Sequence, residues 1–222
     1  MVILVIAPHP DDETLGCGGT LLRHTAEGDE LHWLIMTTIT EEAGFSGERI
    51  QSRGDEIQRV ADAYGFSTIN PANFVAGRLD TYPKSDLVAE VSKCIVNVEP
   101  DTIYLPYRND IHSDHAAAFD AVASCTKSFR YPSIKRVRAY ETLSETEFSL
   151  GLDGNGFHPN MWIDITPYLD QKIEIMEFYE GEMGVHPFPR SEKNIRALAT
   201  FRGATAGFEA AEAFIILLER VS

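Results

Sequence analysis

The chain has little cysteine, little positive charge and no long apolar run, and each shortage closes off a class of protein. Its three cysteines, Cys17, Cys94 and Cys125, are widely spaced among 222 residues and form no CxxC pair. A disulfide framework is therefore not expected, and a reduced, cytoplasmic compartment is. Lys and Arg number 19 against 34 Asp and Glu, a formal net charge of -15. Such a chain repels phosphate backbones and anionic lipid, and no run of Lys or Arg makes a local exception. Neither nucleic acid nor a membrane surface is an expected partner. The opening apolar run, Met1–Ala7, has no basic flank and is far too short to span a bilayer, and no other segment approaches one. Internal repeats, low-complexity tracts and linkers are missing as well. With 44% hydrophobic residues, what remains reads as one domain over residues 1–222 with a substantial core.

The pattern that is present is strand, helix, strand, helix. "VILVIA" (2–7) is apolar throughout and does not alternate, as a strand covered on both faces reads. "LHWLIMTTI" (31–39) and "TIYLPY" (102–107) read as two more inner strands. Between them Ile50, Ile57, Val60, Ala61 and Tyr64 share one helix face, and Leu87, Val91, Ile95 and Val98 share another. "DHAAAFDAVASC" is helical by propensity. This rhythm predicts an α/β doubly wound, mostly parallel sheet flanked by helices. Downstream, "NMWIDI" predicts a strand. "TPYLDQKIEIMEFYEGEMG" (166–184) predicts a helix that Thr166 caps and Pro167 begins, and "RSEKNIRALATF" a helix capped by Ser191. The glycine-rich stretch from about Phe148 to Pro159 is the expected mobile loop, and Trp33 and Trp162 are expected in the core.

Two polar clusters follow inner strands. His9, Asp11, Asp12 and Glu13 come directly after the first; Arg108, Asp110, His112, Asp114 and His115 follow "TIYLPY". In open α/β sheets, ligands gather beyond the carboxyl ends of the strands. If these two strands are neighbours, His9, His115 and a carboxylate surround one point, a donor set suited to a divalent ion with an open position for water. A cation there accounts for acids gathered at the end of a hydrophobic strand. Taken alone, "HPDD" is an ordinary solvated turn and "HSDH" a helix start; together at two strand ends they point to a metal. "GCGG" (16–19) lacks a full G-x-G-x-x-G and has acids where a pyrophosphate would lie, so its glycines are expected to let the first helix pack closely on the sheet.

"APHPDDE" with "LGCGGT", and "HSDH" some hundred residues on, closely resemble the PIG-L/LmbE-like family of zinc-dependent N-acetylglucosaminyl deacetylases. "RGDEIQRVADAYGF", "GRLD", "HPNMWIDIT", "HPFPRS", "ALATFRG" and "AEAF" resemble its later blocks; Ser113 stands where that family commonly has proline. The resemblance implies a Rossmann-like fold and hydrolysis of the acetamide of an N-acetylated sugar or its conjugate. It makes His9, Asp12 and His115 ligands of one Zn²⁺, with Fe²⁺, Co²⁺ or Mn²⁺ also suited to those donors. It makes Asp11 the general base, His112 the assistant at the carbonyl or leaving group, and Asp114 the carboxylate that orients a histidine. Glu13, Arg53 and Asp80 are expected to contact substrate, although Arg53 and Glu56 also suit a surface ion pair. His158, His186 and Arg190 lie in Pro-rich loops as pocket or interface residues. Members of that family often self-associate, so a homo-oligomer is an open expectation. An amidase for another acylated amine, such as a thiol-sugar conjugate, metal-dependent phosphoester hydrolysis and a non-catalytic metal- or sugar-binding module are the other readings.

Overall fold

The computed structural model describes residues 1–150 and 156–221. Seven strands form one sheet in the order β3-β2-β1-β4-β5-β7-β6. Strands β1 (Val2–Ala7), β2 (Glu30–Thr38), β3 (Phe66–Val75), β4 (Thr102–Pro106) and β5 (Arg136–Tyr140) run parallel. Strands β6 (Met161–Asp164) and β7 (Ala211–Glu219) pair antiparallel to each other, and β7 to β5. The helices are α1 (Asp12–Ala26), α2 (Gly47–Tyr64), α3 (Lys84–Val98), α4 (Ser113–Ser124), α5 (Leu169–Met176) and α6 (Glu192–Ala206). A strand whose side chains alternate between two buried faces needs apolar residues at every position, and β1 shows why. Ile3, Val5 and Ala7 join the core shared with Leu15 of α1 and Ile173 of α5, whereas Leu4 and Ile6 join the one shared with Val91 of α3 and Val122 of α4.

From β1 the chain winds outward to β2 and β3 on one side, and later to β4 and β5 on the other. The carboxyl ends of β1 and β4 therefore flank the point where strand order reverses, and β1 pairs β4 in parallel as Ile3↔Thr102 to Val5↔Tyr104. Both polar clusters emerge there.

Glycine lets α1 lie against this sheet. A Cβ at Gly16 would overlap the Tyr140 ring of β5, one at Gly18 the Tyr64 hydroxyl of α2, and one at Gly19 the Ile165 side chain. The helix is interrupted at Cys17 (φ −144°, ψ 20°), and a buried ion pair bridges the break. Lys172 Nζ donates to Leu15 O (2.9 Å) and to Glu212 (2.7 Å), while Glu212 accepts the N–H groups of Gly19 and Thr20.

Three local expectations need correction. The helix predicted over 166–184 is a 3₁₀ turn at Thr166–Tyr168 followed by α5, which ends at Met176. Thr166 does not cap it; its hydroxyl donates to Asp164 instead. Trp33 is fully buried, but Trp162 sits half-buried on the edge strand β6. Ser191 does cap α6, accepting the Asn194 N–H. Of the glycine-rich stretch, residues 151–155 lie outside the described residues.

Candidate metal centre and active site

Three imidazoles converge at the β1/β4 crevice. Ring centroids are 4.5 Å apart for His9–His112, 5.8 Å for His9–His115 and 5.6 Å for His112–His115. His9 lies on the turn after β1 and His112 at the cap of α4, with His115 in that helix's first turn. Ser113 takes the first helical position, the one a proline also fits, so the departure leaves the helix start intact.

Carboxylates decide which ring nitrogens remain available. In its neutral form His115 donates Nδ1–H to Asp110 Oδ2 (2.7 Å), which puts the lone pair on Nε2. That atom is buried, has no hydrogen-bond partner, and lies 3.3 Å from Asp12 Oδ1. His9 Nε2 bonds Asp114 Oδ2 (2.9 Å), which leaves Nδ1, 3.4 Å from Asp12 Oδ2. Donor atoms of His9, Asp12 and His115 thus fall within 4.8 Å of one another. The orphaned Nε2, the two histidine–carboxylate pairs and the N,N,O donor set fit a divalent ion. His9, His112 and Asp114 also lie close enough to share one, but Asp114, His9 Nε2 and His112 Nδ1 are engaged elsewhere. Asp114 accepts the N–H groups of Gly77 (2.7 Å) and Leu79 (2.9 Å) besides the His9 ring, and His112 Nδ1 accepts the Asp114 N–H (3.1 Å).

Charge in the cluster follows these contacts. Burial acts to lower the pKa of His9, yet the hydrogen bonds to Asp114 and Asp12 outweigh it and lift it to about 9. Burial likewise opposes the charge of His115, but Asp12 and Asp110 hold it well above the usual imidazole range. Asp12 is held low by both rings against its own burial. Asp11 goes the other way: burial, then the charges of Asp12 and Glu182, push its carboxyl well above the usual range. His112 is lowered, by burial first and then by the His9 charge.

Asp11 adopts φ 132° and ψ −28°, a conformation costly for a residue with a Cβ, on the order of 1–3 kcal/mol. Glu13 sustains it by accepting the Asp11 N–H at Oε2 (3.1 Å). Glu13 was expected to contact substrate, but it is fully buried under the site, where Tyr179 (2.7 Å) and Thr14 (2.6 Å) donate to Oε1. Burial raises its pKa to about 7. Asp80 is exposed in the 3₁₀ turn at Leu79–Thr81 and does not line the cavity.

A cavity of about 420 Å³ opens over the centre, and His9, Asp11, Asp12, His112 and Arg53 line it. Arg53 is not in a surface pair: its Nε is 3.2 Å from the buried Glu56, Nη1 donates to Pro10 O and Nη2 to Glu182. Glu182 also meets Arg190 (3.1 Å), and Arg190 Nη1 donates to Asp11 Oδ2 (3.0 Å). Five charged side chains therefore run from Glu56 on α2 to Asp11. The sequence by itself does not mark the contacts of Glu182, Asp110 and Glu145, and it offers Arg190 only as one of several residues in Pro-rich loops. Spacing could have flagged Asp110, two residues before His112. Nothing local marks Glu145, which follows a strand whose arginines hide it.

A family model described as PIG-L, GlcNAc-PI de-N-acetylase, matches residues 4–126. Diacetylchitobiose deacetylase of Thermococcus kodakarensis is 25% identical over 228 residues, covering 95% of this chain and 80% of that protein. The N,N'-diacetylchitobiose deacetylase from Pyrococcus horikoshii, solved with its inhibitor MPG, superposes with a TM-score of 0.76 at 23% identity, over 97% of this chain and 83% of that one. GalB, the 4-carboxy-2-hydroxymuconate hydratase of Pseudomonas putida KT2440, has a TM-score of 0.75 at 18% identity, over 100% of this chain and 98% of that one. The shared fold thus serves more than one reaction, and the residues at the crevice must select it. The matched segment holds all three imidazoles and both carboxylate partners, and by it the chain belongs to the PIG-L family.

Proposed function

We propose that this protein is a metal-dependent N-deacetylase that hydrolyses the acetamide of an N-acetylated amino sugar or its conjugate. The observation that carries the reading is the placement of Asp11: it lines the cavity next to the His9–Asp12–His115 set without belonging to it. A binding module needs no such carboxylate. A divalent ion, zinc by the family resemblance, supplies a water whose pKa falls to about 7 and polarisation of the acyl oxygen.

The chain's own groups do the rest. Arg190 occupies Oδ2 of Asp11, so Oδ1 is left to take the proton of the attacking water. The raised pKa of Asp11 suits it to holding that proton. His112 Nδ1 is an acceptor, so its neutral ring carries the proton on Nε2 and donates it as a hydrogen bond to the developing oxyanion. The new C–O bond forms, the C–N bond breaks, and Asp11 returns its proton to the departing amine. Acetate and a free amino sugar are the products. The deacetylase relatives support this chemistry.

The test is stoichiometric release of acetate and amine from N-acetylglucosamine derivatives by the ion-loaded protein, with loss on chelation and recovery on adding zinc. Absence of acetate from every N-acetylated amino sugar, with the ion bound, would reject the proposal.

A further inference from the structure

Part of the cavity lining plays no part in that chemistry. Ile39 just after β2, Phe45 before α2 and Ile57 on α2 supply its large apolar side chains. Phe45 is 41% exposed and makes no ring pair among the described residues. Its backbone is pinned all the same. The Phe45 N–H donates to Thr40 O (3.3 Å), Thr40 Oγ1 accepts the Ala43 N–H, and Ser46 caps α2 through the Arg49 N–H. Three large apolar side chains lining one cavity are a feature of ligand sites.

The charged residues of the lining bear on which ligands these side chains serve. Four carboxylates, Asp11, Asp12, Glu145 and Glu182, face two guanidinium groups, Arg53 and Arg190. Both arginines are already paired, Arg53 with Glu56 and Glu182, and Arg190 with Asp11 and Glu182. A phosphate or carboxylate on the substrate would find no uncommitted guanidinium among the described lining residues. The volume, about 420 Å³, leaves room beyond one acetylated sugar ring.

We infer that Ile39, Phe45 and Ile57 form a subsite for an uncharged, apolar or aromatic group attached to the amino sugar, so that the preferred substrates are hexosaminides carrying such a group. The inference rests on the deacetylase reading above. In the order of preference, an aryl glycoside comes first, a methyl glycoside next and a sugar phosphate last.

The experiment compares kcat/KM for acetate release from phenyl N-acetylglucosaminide, methyl N-acetylglucosaminide and N-acetylglucosamine 1-phosphate, using the ion-loaded full chain. Calorimetric binding of phenyl and methyl glucosaminide, which have no acetyl group to lose, runs beside it. The phenyl compound should exceed the methyl one by about tenfold in both assays, the size of one buried aromatic contact. Phe45→Ala should bring both ratios close to one, while Phe129→Ala, at an exposed residue outside the cavity, should leave them unchanged. Equal values for phenyl and methyl, a ratio that survives Phe45→Ala, or preference for the phosphate overturns the subsite. If no compound releases acetate, the deacetylase reading fails, and the binding ratio still decides the subsite: a phenyl preference lost in Phe45→Ala upholds it, and equal binding overturns it.

Discussion

Asp110 Oδ2 lies 2.7 Å from His115 Nδ1, and this contact determines that the opposite nitrogen of the ring is presented to Asp12. Asp110 is itself anchored, because the Thr146 hydroxyl donates to its other oxygen (2.7 Å). Asp114 does the equivalent for His9. Each expected nitrogen ligand is thus oriented by a carboxylate outside the His9–Asp12–His115 set.

Asp110→Ala should weaken divalent-ion affinity by about 10- to 100-fold, the usual effect of removing such a partner. Competition against a chromophoric chelator measures it, with the fold checked by circular dichroism. Affinity equal to that of the unmodified protein would show that the contact only packs the ring.

Asp11→Asn should keep the ion and lose at least about 10² in kcat, the contribution expected of an acid–base group. The asparagine retains the Arg190 contact as an acceptor but cannot take the proton of water. Metal content and acetate release, measured on the same preparation, separate the two effects; a fully active variant removes Asp11 from the reaction.

His112→Ala should lower kcat by about 10²–10³, as loss of one oxyanion donor does, with the bound ion retained. The binding set does not use His112, whose Nδ1 is engaged by the Asp114 N–H. Coupled loss of metal would instead place His112 among the ligands.

Lys172→Met should destabilise the fold by about 3–5 kcal/mol, because Glu212 would remain as a buried charge without its cation. Both residues are 5% exposed, so water gives little relief. The shift in the denaturant midpoint reads this. Lys172→Met combined with Glu212→Gln should recover part of the loss; no recovery would mean that the break in α1, and not the stranded charge, sets the cost.

The central strands were legible because burial on two faces demands an apolar run, which β1 displays throughout and β2 from Trp33 to Met36. Strand β3 was not, since it carries Asn70, Pro71 and Asn73 and only pairing with β2 makes it a strand. Strand β5 alternates Arg136 and Arg138 with its apolar residues and was passed over for the same reason. The residues behind it, Thr142 and Glu145, were therefore missed as cavity lining.

Sequence alone brought forward the candidate donors, two clusters of His and Asp placed directly after apolar strands, and the fold places His9, Asp12 and His115 within reach of one point. Tertiary structure decided their division of labour. Asp11 and Asp12 are adjacent and chemically identical, yet the positive φ at Asp11, held by Glu13, sends one carboxylate to Arg190 and leaves the other against His9 and His115. Backbone direction and long-range partners separate such residues, because composition and spacing carry no information about where a side chain points once the chain has turned.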